Sequence, residues 1–210
     1  MKTETETIFI IDDDNSVRRS LSLFLKANNF NAEAFSSSEE YLEREQYNGI
    51  GCIILDVNLG GKNGLELQDE LKIRESQLPI IFMTGQGNIP MSVRTLKKGA
   101  INFLEKPFKD EELLQSISEA LALCNKLKAE KEEFRKSQYL IDSLTPREYD
   151  VLKHLISGML NKQIAYELNI AEHTVKLHRG NICDKLGVKS VAEIIQITEK
   201  ARIIPSEKTF

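Results

Sequence analysis

The sequence predicts an α/β domain with a doubly wound, five-stranded parallel sheet, joined by a long helix to a small all-α domain of four helices. Over the first 110 residues, short apolar runs alternate with amphipathic segments, as in parallel strands linked by right-handed helical crossovers. Beyond about residue 143 the strand-like runs stop and helix start and stop signals recur. The strand-like runs lie near residues 7–11, 31–35, 51–55, 79–83 and 101–104.

The helical segments between these runs carry apolar residues at helical spacing. Ser37 and Glu40 have the spacing of a capping box, and Asp110 is the expected N-cap of the last helix of the sheet domain. The residues expected to face the core are Val17, Leu21 and Leu25, then Tyr41 and Leu42, then Leu65, Leu67 and Leu71, then Ile89, Val93 and Leu96, and finally Leu113, Leu114, Ile117 and Leu121.

The bulk composition is that of an ordinary soluble protein, with 210 residues, 41% of them hydrophobic and 29% charged. No apolar run approaches the ~20 residues that span a bilayer, and the first residues have no apolar signal-peptide core. The cysteines Cys52, Cys124 and Cys183 are odd in number and far apart, as is typical of reduced thiols. We therefore expect a cytoplasmic protein without a membrane partner.

Charge is distributed unevenly along the chain. Residues 1–122 hold 13 Lys and Arg against 20 Asp and Glu, a net charge of −7, whereas residues 123–210 hold 15 against 12, a net charge of +3. An acidic first part and a mildly basic second part suggest two different tasks. An excess of +3 is also ordinary for a protein surface, so charge alone does not predict nucleic-acid binding.

Polar side chains stand at the ends of four of the predicted strands. The cluster Asp12–Asp14 follows the first run, Asp56 ends the third, Thr84 follows the fourth and Lys106 follows the fifth. Because open parallel sheets place their ligands at the carboxyl ends of the strands, we expect these side chains to meet at one edge. Singly, each has a simpler explanation, and for Asp14 we prefer that of a helix cap.

Together these residues predict phosphoryl chemistry. Clustered carboxylates repel one another unless a cation joins them, and Mg²⁺ suits oxygen ligands. With part of the charge neutralised, Asp56 can attack a phosphoryl group and form an aspartyl phosphate. Lys106 and the Thr84 hydroxyl are then placed to stabilise the phosphoryl oxygens. The glycines at 60, 61 and 64 permit a close backbone approach, and the Lys106-Pro107 pair hints at a cis peptide.

The four motifs resemble the receiver domain of two-component response regulators, which has a flavodoxin-like fold. The motifs are Ile-Ile-Asp12-Asp13-Asp14, Leu55-Asp56, Met-Thr84-Gly85 and Glu-Lys106-Pro107-Phe, and the resemblance spans about residues 5–122. One departure is Leu59-Gly60 after the acceptor, where many receivers have Met-Pro. Phe103, in the fifth strand-like run, has two equally weighted explanations: a switch residue of the receiver, or a packed strand residue.

The resemblance implies a role for each site residue. Asp56 accepts phosphate from a sensor histidine kinase, and Lys106 forms a salt bridge with the acyl phosphate. Around Mg²⁺, Asp56 is joined by Asp13 and the Asn58 carbonyl, while Asp12 acts mainly through a metal-bound water. Thr84 and Phe103 form the switch pair that moves on phosphorylation.

A charged, uninterrupted stretch connects the two parts of the chain. Residues 123–142 contain no glycine or proline, and their apolar spacing fades after Leu127. We expect a solvated helix rather than a strong dimer zipper, with a break at residues 141–143. The expected limits are therefore 1–122 for the receiver, 123–142 for the helical linker and 143–210 for the second domain.

The second domain carries four sets of helix signals. Thr145 is the expected N-cap of the first helix, with Pro146 at its first position and Glu148 closing a capping box. A short second helix over 161–168 leads through a tight turn to a third over 172–186, closed by Gly187, and Ser190 caps a fourth. The residues expected on the inner faces of the first three helices are Val151, Leu152, Leu155, Ile156, Ile164, Ala165, Leu168, Val175, Ile182 and Leu186, and the fourth helix carries the apolar residues Val191, Ile194, Ile195 and Ile197.

The middle of this domain resembles the LuxR-type helix-turn-helix of the NarL/FixJ group of response regulators. The motifs are Leu-Thr145-Pro-Arg-Glu148, Gly158-Met-Leu-Asn-Lys162-Gln-Ile-Ala165, Thr174-Val175-Lys176-Leu177-His178 and Lys185-Leu186-Gly187-Val188. The resemblance implies that the third helix enters the DNA major groove. The residues it implies are Lys176 and Leu177 at bases and Lys162, Thr174, Arg179 and Lys185 at phosphates.

We expect a phosphorylation-controlled transcription factor that dimerises through its switch and binds double-stranded DNA. RNA polymerase is a further expected partner. Two alternatives remain open: a Mg²⁺-dependent phosphatase with an aspartyl-phosphate intermediate, and a receiver that works without phosphate. Such phosphatases often have a second carboxylate two residues after the nucleophile, where this chain has Asn58, and the intact set of Asp56, Thr84 and Lys106 disfavours the other alternative.

Overall fold

The computed structural model describes residues 6–60, 63–85 and 95–206 of the chain. The chain divides into two compact units, Met1–Lys128 and Ala129–Phe210, and the division falls inside one long helix. The domain limits expected at residues 122 and 142 remain predictions. Among the described residues, no helix combines the length and apolarity that crossing a bilayer requires.

The first unit contains a five-stranded parallel sheet, as predicted. Its strands are β1 Thr7–Ile11, β2 Asn31–Phe35, β3 Gly51–Asp56, β4 Ile80–Thr84 and β5 Asn102–Glu105, in the order β2-β1-β3-β4-β5. The helices are α1 Asn15–Ala27, α2 Ser38–Glu43, α3 Gly64–Ile73 and the first part of α4 Asp110–Asp142. Strands β4 and β5 begin one residue later than the sequence pattern predicts, so Thr84 ends its strand instead of following it.

Both faces of the sheet are covered, because alternate residues of the central strands pack into two different clusters. Phe9, Ile53 and Phe82 pack with residues of α2 and α3 on one face. Their neighbours Ile8 and Ile54 belong to the other face, with residues of α1 and α4. Burial on both faces explains why these strands are continuous apolar runs rather than alternating ones.

Two predictions about the helices of the sheet domain, the fourth helix and the N-cap at Asp110, are not confirmed. Most of the predicted fourth helix, including Ile89 and Val93, lies outside the described residues; its last member, Leu96, is 44% exposed and does not face the core. Asp110 is not an N-cap, because α4 already begins there and the Leu113 amide bonds the Lys109 carbonyl at 3.2 Å. A carboxylate in the first helical turn still interacts favourably with the helix dipole.

The long helix is confirmed: α4 runs for 33 residues and ends at Asp142, within one residue of the predicted break. The second unit continues with α5 Pro146–Ile156, α6 Asn161–Glu167, α7 Glu172–Leu186 and α8 Val191–Lys200. The capping box of Thr145 and Glu148 is present, and Gly187 adopts the left-handed conformation (φ 67°) that ends α7.

One core of the second unit joins all four helices with the end of α4. The fully buried members include Val151, Leu152, Ile164, Val175 and Ile182. On α8, Ile194 is buried, Ile195 is 36% exposed, and the polar residue Thr198 is buried as well. The Thr198 hydroxyl is satisfied by the Ile195 carbonyl at 2.9 Å, which allows a polar side chain to occupy a core position.

Candidate functional site

The strand order brings four of the predicted site residues to one edge of the sheet. Strands β1 and β3 are neighbours, although the chain runs through β2 between them, and a crevice for ligands forms at such a switch point. Asp12 follows β1 directly, Asp56 ends β3 and Thr84 ends β4. Lys106 follows β5, and its amide donates to the Thr84 carbonyl at 2.7 Å.

Lys106 connects the two buried carboxylates at this edge. Its Nζ lies 2.6 Å from Asp12 Oδ2 and 2.7 Å from Asp56 Oδ2, although the three residues are far apart in sequence. Burial alone would lower the pKa of Lys106, but the hydrogen bonds and charges of Asp12 and Asp56 outweigh burial and raise that pKa. The ammonium group therefore stays charged between the two acids.

Asp12 is fully buried, and burial raises the pKa of its carboxyl group above the ordinary value. The Lys106 ammonium and the Asp14 amide, which donates to Asp12 Oδ1 at 2.9 Å, oppose that shift. Asp56 is 8% exposed, so its carboxylate remains within reach of a small reactant. The edge thus holds one enclosed acid and one accessible acid around a single cation.

Three carboxylates could hold a metal ion. One oxygen each of Asp12, Asp13 and Asp56 can be chosen so that all lie within 4.8 Å of one another, and Asp13 is exposed. An all-oxygen set with one face open to solvent fits Mg²⁺, which takes few protein ligands and keeps several waters. Asp14 is separate from this set and caps α1, as predicted, by accepting from the Ser16 amide at 2.7 Å.

The loop after β3 packs tightly against the same edge. The Asn58 amide donates to Asp56 Oδ1 at 3.0 Å, which orients the accessible carboxylate. Gly64 is required because a Cβ there would lie 2.4 Å from the Asp56 carbonyl oxygen. Gly61 lies outside the described residues. The predicted cis peptide between Lys106 and Pro107 is present.

The predicted switch pair occupies neighbouring strands. Thr84 is fully buried at the end of β4, and Phe103 on β5 pairs in register with Phe82 on β4. Phe103 is only partly buried and packs against the apolar cluster of one sheet face. Partial burial is compatible with both explanations of Phe103, and its switching role remains a prediction.

In the second unit, α7 presents several of the predicted DNA-binding residues to solvent. Leu177 is 63% exposed, which is unusual for a leucine. Lys176 is exposed, and its one ion pair within the described residues is the i,i+4 pair with Glu172 at 3.3 Å. Thr174 is partly buried near the start of α7, and Lys162 is exposed on α6. These four side chains could meet a ligand without disturbing the core.

Two other predicted phosphate contacts have partners inside the unit. Arg179 Nη1 donates to Asn161 Oδ1 on α6. Lys185 Nζ lies 2.6 Å from Glu148 Oε2 and also donates to the Ser143 carbonyl at 3.2 Å. Both side chains therefore have a structural role that the motif did not indicate.

Glu148 has a second role that the sequence did not predict, because its buried carboxylate also forms an ion pair with Lys185. Burial would raise its pKa, but the hydrogen bonds from Lys185 and Thr145 outweigh burial and lower that pKa to about 2. The capping box predicted the bond to Thr145, whereas nothing in the local sequence indicated the ion pair with Lys185, 37 residues away.

Comparisons with known proteins agree with this geometry. The family model described as the response regulator receiver domain matches residues 8–118. The model described as bacterial regulatory proteins, luxR family, matches residues 142–198.

Relatives match over nearly the whole chain. The response regulator protein TodT of Pseudomonas putida is 40% identical over 202 residues, which cover 96% of this chain and 89% of TodT. The transcriptional regulatory protein FixJ of Bradyrhizobium diazoefficiens is 33% identical over 197 residues, covering 94% and 96% of the two chains. A low-resolution structure of the response regulator StyR is similar with a TM-score of 0.80 and 43% identity, covering 93% and 99%. The chain therefore belongs to the response regulators, with a receiver domain and a LuxR-type DNA-binding domain, and is a transcriptional regulator.

Proposed function

We propose that Asp56 accepts a phosphoryl group from a sensor histidine kinase and that this modification switches the protein to a dimer that binds promoter DNA. The observation that carries the proposal is the Lys106 ammonium, which bonds Asp12 and the accessible Asp56 together. A cation held at the nucleophile by a second, fully buried acid is poised to receive a negatively charged group.

The transfer uses the residues at the sheet edge in distinct roles. An Asp56 carboxylate oxygen attacks phosphorus, the bond from phosphorus to the kinase imidazole breaks, and the imidazole leaves with the electron pair. Lys106 Nζ, 2.7 Å from Asp56 Oδ2, stabilises the charge on the phosphoryl oxygens. Asp12, Asp13, Asp56 and the Asn58 carbonyl are the proposed Mg²⁺ ligands, directly or through water. Bound Mg²⁺ would supply charge neutralisation between the carboxylates and the phosphoryl group.

The modification has to reach the rest of the chain. We assign that step to the Thr84 hydroxyl and Phe103, which lie on neighbouring strands beside the acceptor. Aspartyl phosphate would bias the receiver toward a second conformation in which Thr84 bonds a phosphoryl oxygen. The proposed result is dimerisation of a receiver over 1–122, carried through a linker over 123–142.

The DNA-binding role of α7 extends the family assignment to single residues. Lys176 and Leu177 are the proposed base-reading side chains, and Lys162, Thr174, Arg179 and Lys185 the proposed phosphate contacts. Exposure of Lys176 and Leu177 supports the base-reading pair, and exposure of Lys162 supports one of the phosphate contacts. We further propose a cytoplasmic protein that acts on RNA polymerase at the promoter and only slowly removes its own phosphoryl group.

The test measures phosphorylation and assembly on the full chain. Acetyl phosphate with Mg²⁺ should label the wild type, and beryllofluoride with Mg²⁺ should convert monomer to dimer in sedimentation. Asp56→Ala should abolish both effects, whereas Asp69→Asn, at an exposed carboxylate on α3, should retain both.

Three results would contradict the proposal. Labelling that persists in Asp56→Ala would place the acceptor elsewhere. Steady hydrolysis of small phosphate esters would favour the phosphatase alternative. Regulation of a promoter that survives Asp56→Ala would favour the receiver that works without phosphate.

A further inference from the structure

Arg18 on α1 holds both ends of the short loop that carries Asp13. Its Nη1 donates to the Asp12 carbonyl at 2.6 Å. Its own backbone amide donates to the Asp14 carbonyl at 3.0 Å, as part of the first turn of α1. The two carbonyls that flank Asp13 in the chain are therefore both bonded by one residue.

The other groups of the loop have separate partners. The Asp12 carboxylate is held by Lys106 and by the Asp14 amide, and the Asp14 carboxylate caps α1. Within the described part of the chain, the exposed Asp13 carboxylate has no hydrogen bond or ion pair. Its position near Asp12 and Asp56 consequently depends on the backbone that bears it.

We propose that Arg18 is a positioning residue for the divalent cation: by fixing the Asp12 carbonyl it keeps the Asp13 carboxylate directed at Asp56. This inference rests on the proposed function, because it assumes that the three carboxylates bind Mg²⁺. A residue that orients metal ligands from behind commonly affects metal affinity by 10–100-fold.

Electrostatics alone predicts the opposite effect. A guanidinium beside a cluster of carboxylates repels a second cation, so removing its charge should strengthen Mg²⁺ binding. Loss of positioning should weaken binding. The sign of the change therefore separates the two roles, and the conservative variant Arg18→Lys separates them again because it keeps the charge but loses the planar fork.

The chain offers a matched control in the adjacent residue. Arg19 lies on the same helix and is exposed, and within the described residues it forms no hydrogen bond or ion pair. Arg18→Gln leaves the backbone bond from residue 18 to the Asp14 carbonyl intact, so the variant removes the side-chain bonds and one positive charge. Arg18→Gln and Arg19→Gln each remove one positive charge from the same helix, so a difference between them reports the side-chain bonds of Arg18.

The experiment is a Mg²⁺ titration of the full-length protein, followed by the amide NMR signals of Asp13 and Asn58. We expect about tenfold weaker binding in Arg18→Gln, a smaller weakening in Arg18→Lys and less than about twofold change in Arg19→Gln. The rate of labelling by acetyl phosphate should fall in Arg18→Gln at limiting Mg²⁺ and recover at saturating Mg²⁺.

Equal or tighter Mg²⁺ binding in Arg18→Gln would overturn the inference. So would a loss of labelling rate that saturating Mg²⁺ does not restore, because Arg18 would then act on the phosphoryl group. If the wild type itself binds no Mg²⁺, the proposed function loses its metal site, and the inference fails with it. These outcomes are distinguishable because the wild-type titration is read first.

Discussion

The sheet edge that holds Asp12, Asp56 and Lys106 and the exposed surface of α7 use lysine side chains in opposite ways. At the edge, Lys106 is already bonded to Asp12 and Asp56 within 2.7 Å, and both acids are buried. On α7, Lys176 is exposed and forms an ion pair with Glu172, whose side chain is also exposed. The charged groups of the sheet edge are therefore bonded to one another, whereas the Lys176 side chain on α7 is exposed to solvent.

The tasks proposed for the two regions explain this difference. Phosphoryl transfer requires charges placed in advance, because groups that are already oriented need no reorganisation during the reaction. DNA binding releases counterions when mobile surface cations meet phosphates, so a solvated lysine serves well. Lys185 belongs to the second unit but resembles Lys106 of the sheet edge, since it is bonded to a buried carboxylate, that of Glu148.

The largest effect is expected when the Lys106 ammonium is removed from the sheet edge. Lys106→Met leaves Asp12 and Asp56 facing each other without compensation, and we expect a loss of about 3 kcal/mol in the free energy of unfolding at pH 7 without Mg²⁺. Urea unfolding of the full chain measures the change, and added Mg²⁺ should recover part of the loss.

Lys98→Met is the matched control, because its partner Asp69 is 54% exposed, whereas Asp12 and Asp56, the partners of Lys106, are buried. An exposed pair contributes less than about 1 kcal/mol. Equal losses in both variants would mean that the edge is not organised by Lys106.

Glu148→Gln tests the buried pair of the second unit. The folded carboxyl has a pKa of about 2, below its ordinary value of 4.5, so ionised Glu148 stabilises the fold at neutral pH. We expect a loss of about 2–3 kcal/mol at pH 7. Hydrogen exchange of the α5 amides in the full chain measures the change.

The same pair defines a pH window. A lowered folded pKa means that the stabilisation is complete above pH ~4.5 and is lost as the pH falls toward 2. The difference between wild type and Glu148→Gln should therefore shrink below pH ~4.5.

Thr145→Ala tests the cap that the sequence predicted. Removing the hydroxyl that accepts from the Glu148 amide should cost about 1 kcal/mol. Thr145→Ser retains the acceptor and should cost less than about 0.5 kcal/mol. A similar loss in both variants, measured by the same exchange experiment, would assign the effect to the methyl group instead.

The smallest expected change in stability, with a clear change in binding, belongs to Lys176→Gln. Stability should change by less than about 0.5 kcal/mol, because the partner Glu172 is exposed. Affinity for a random-sequence DNA duplex should fall, and the slope of log affinity against log salt should decrease by about 1. Lys189→Gln, outside α7, is the control, and an unchanged slope in Lys176→Gln would remove this residue from the proposed interface.

Much of the fold was predictable because local patterns carried it. The strand positions, the ends of α7 and the Thr145 capping box follow from apolar periodicity and from helix start and stop residues. The meeting of Asp12, Asp56 and Lys106 was also predictable, because parallel strands deliver their last residues to one edge. The burial of Thr198 was not predictable, because apolar periodicity gives no signal for a polar side chain whose hydroxyl is satisfied by a carbonyl of its own helix.

The sequence by itself determined the strand and helix order, and with it which acids and which lysine share the sheet edge. Only the tertiary structure decided which carboxylates are buried, that Lys106 bonds two of them, that Lys185 is bonded to Glu148, and that Arg18 holds the Asp12 carbonyl. The reason is physical: periodicity is read along the chain, whereas a hydrogen bond forms only when folding sets the distance between donor and acceptor to within a few tenths of an ångström.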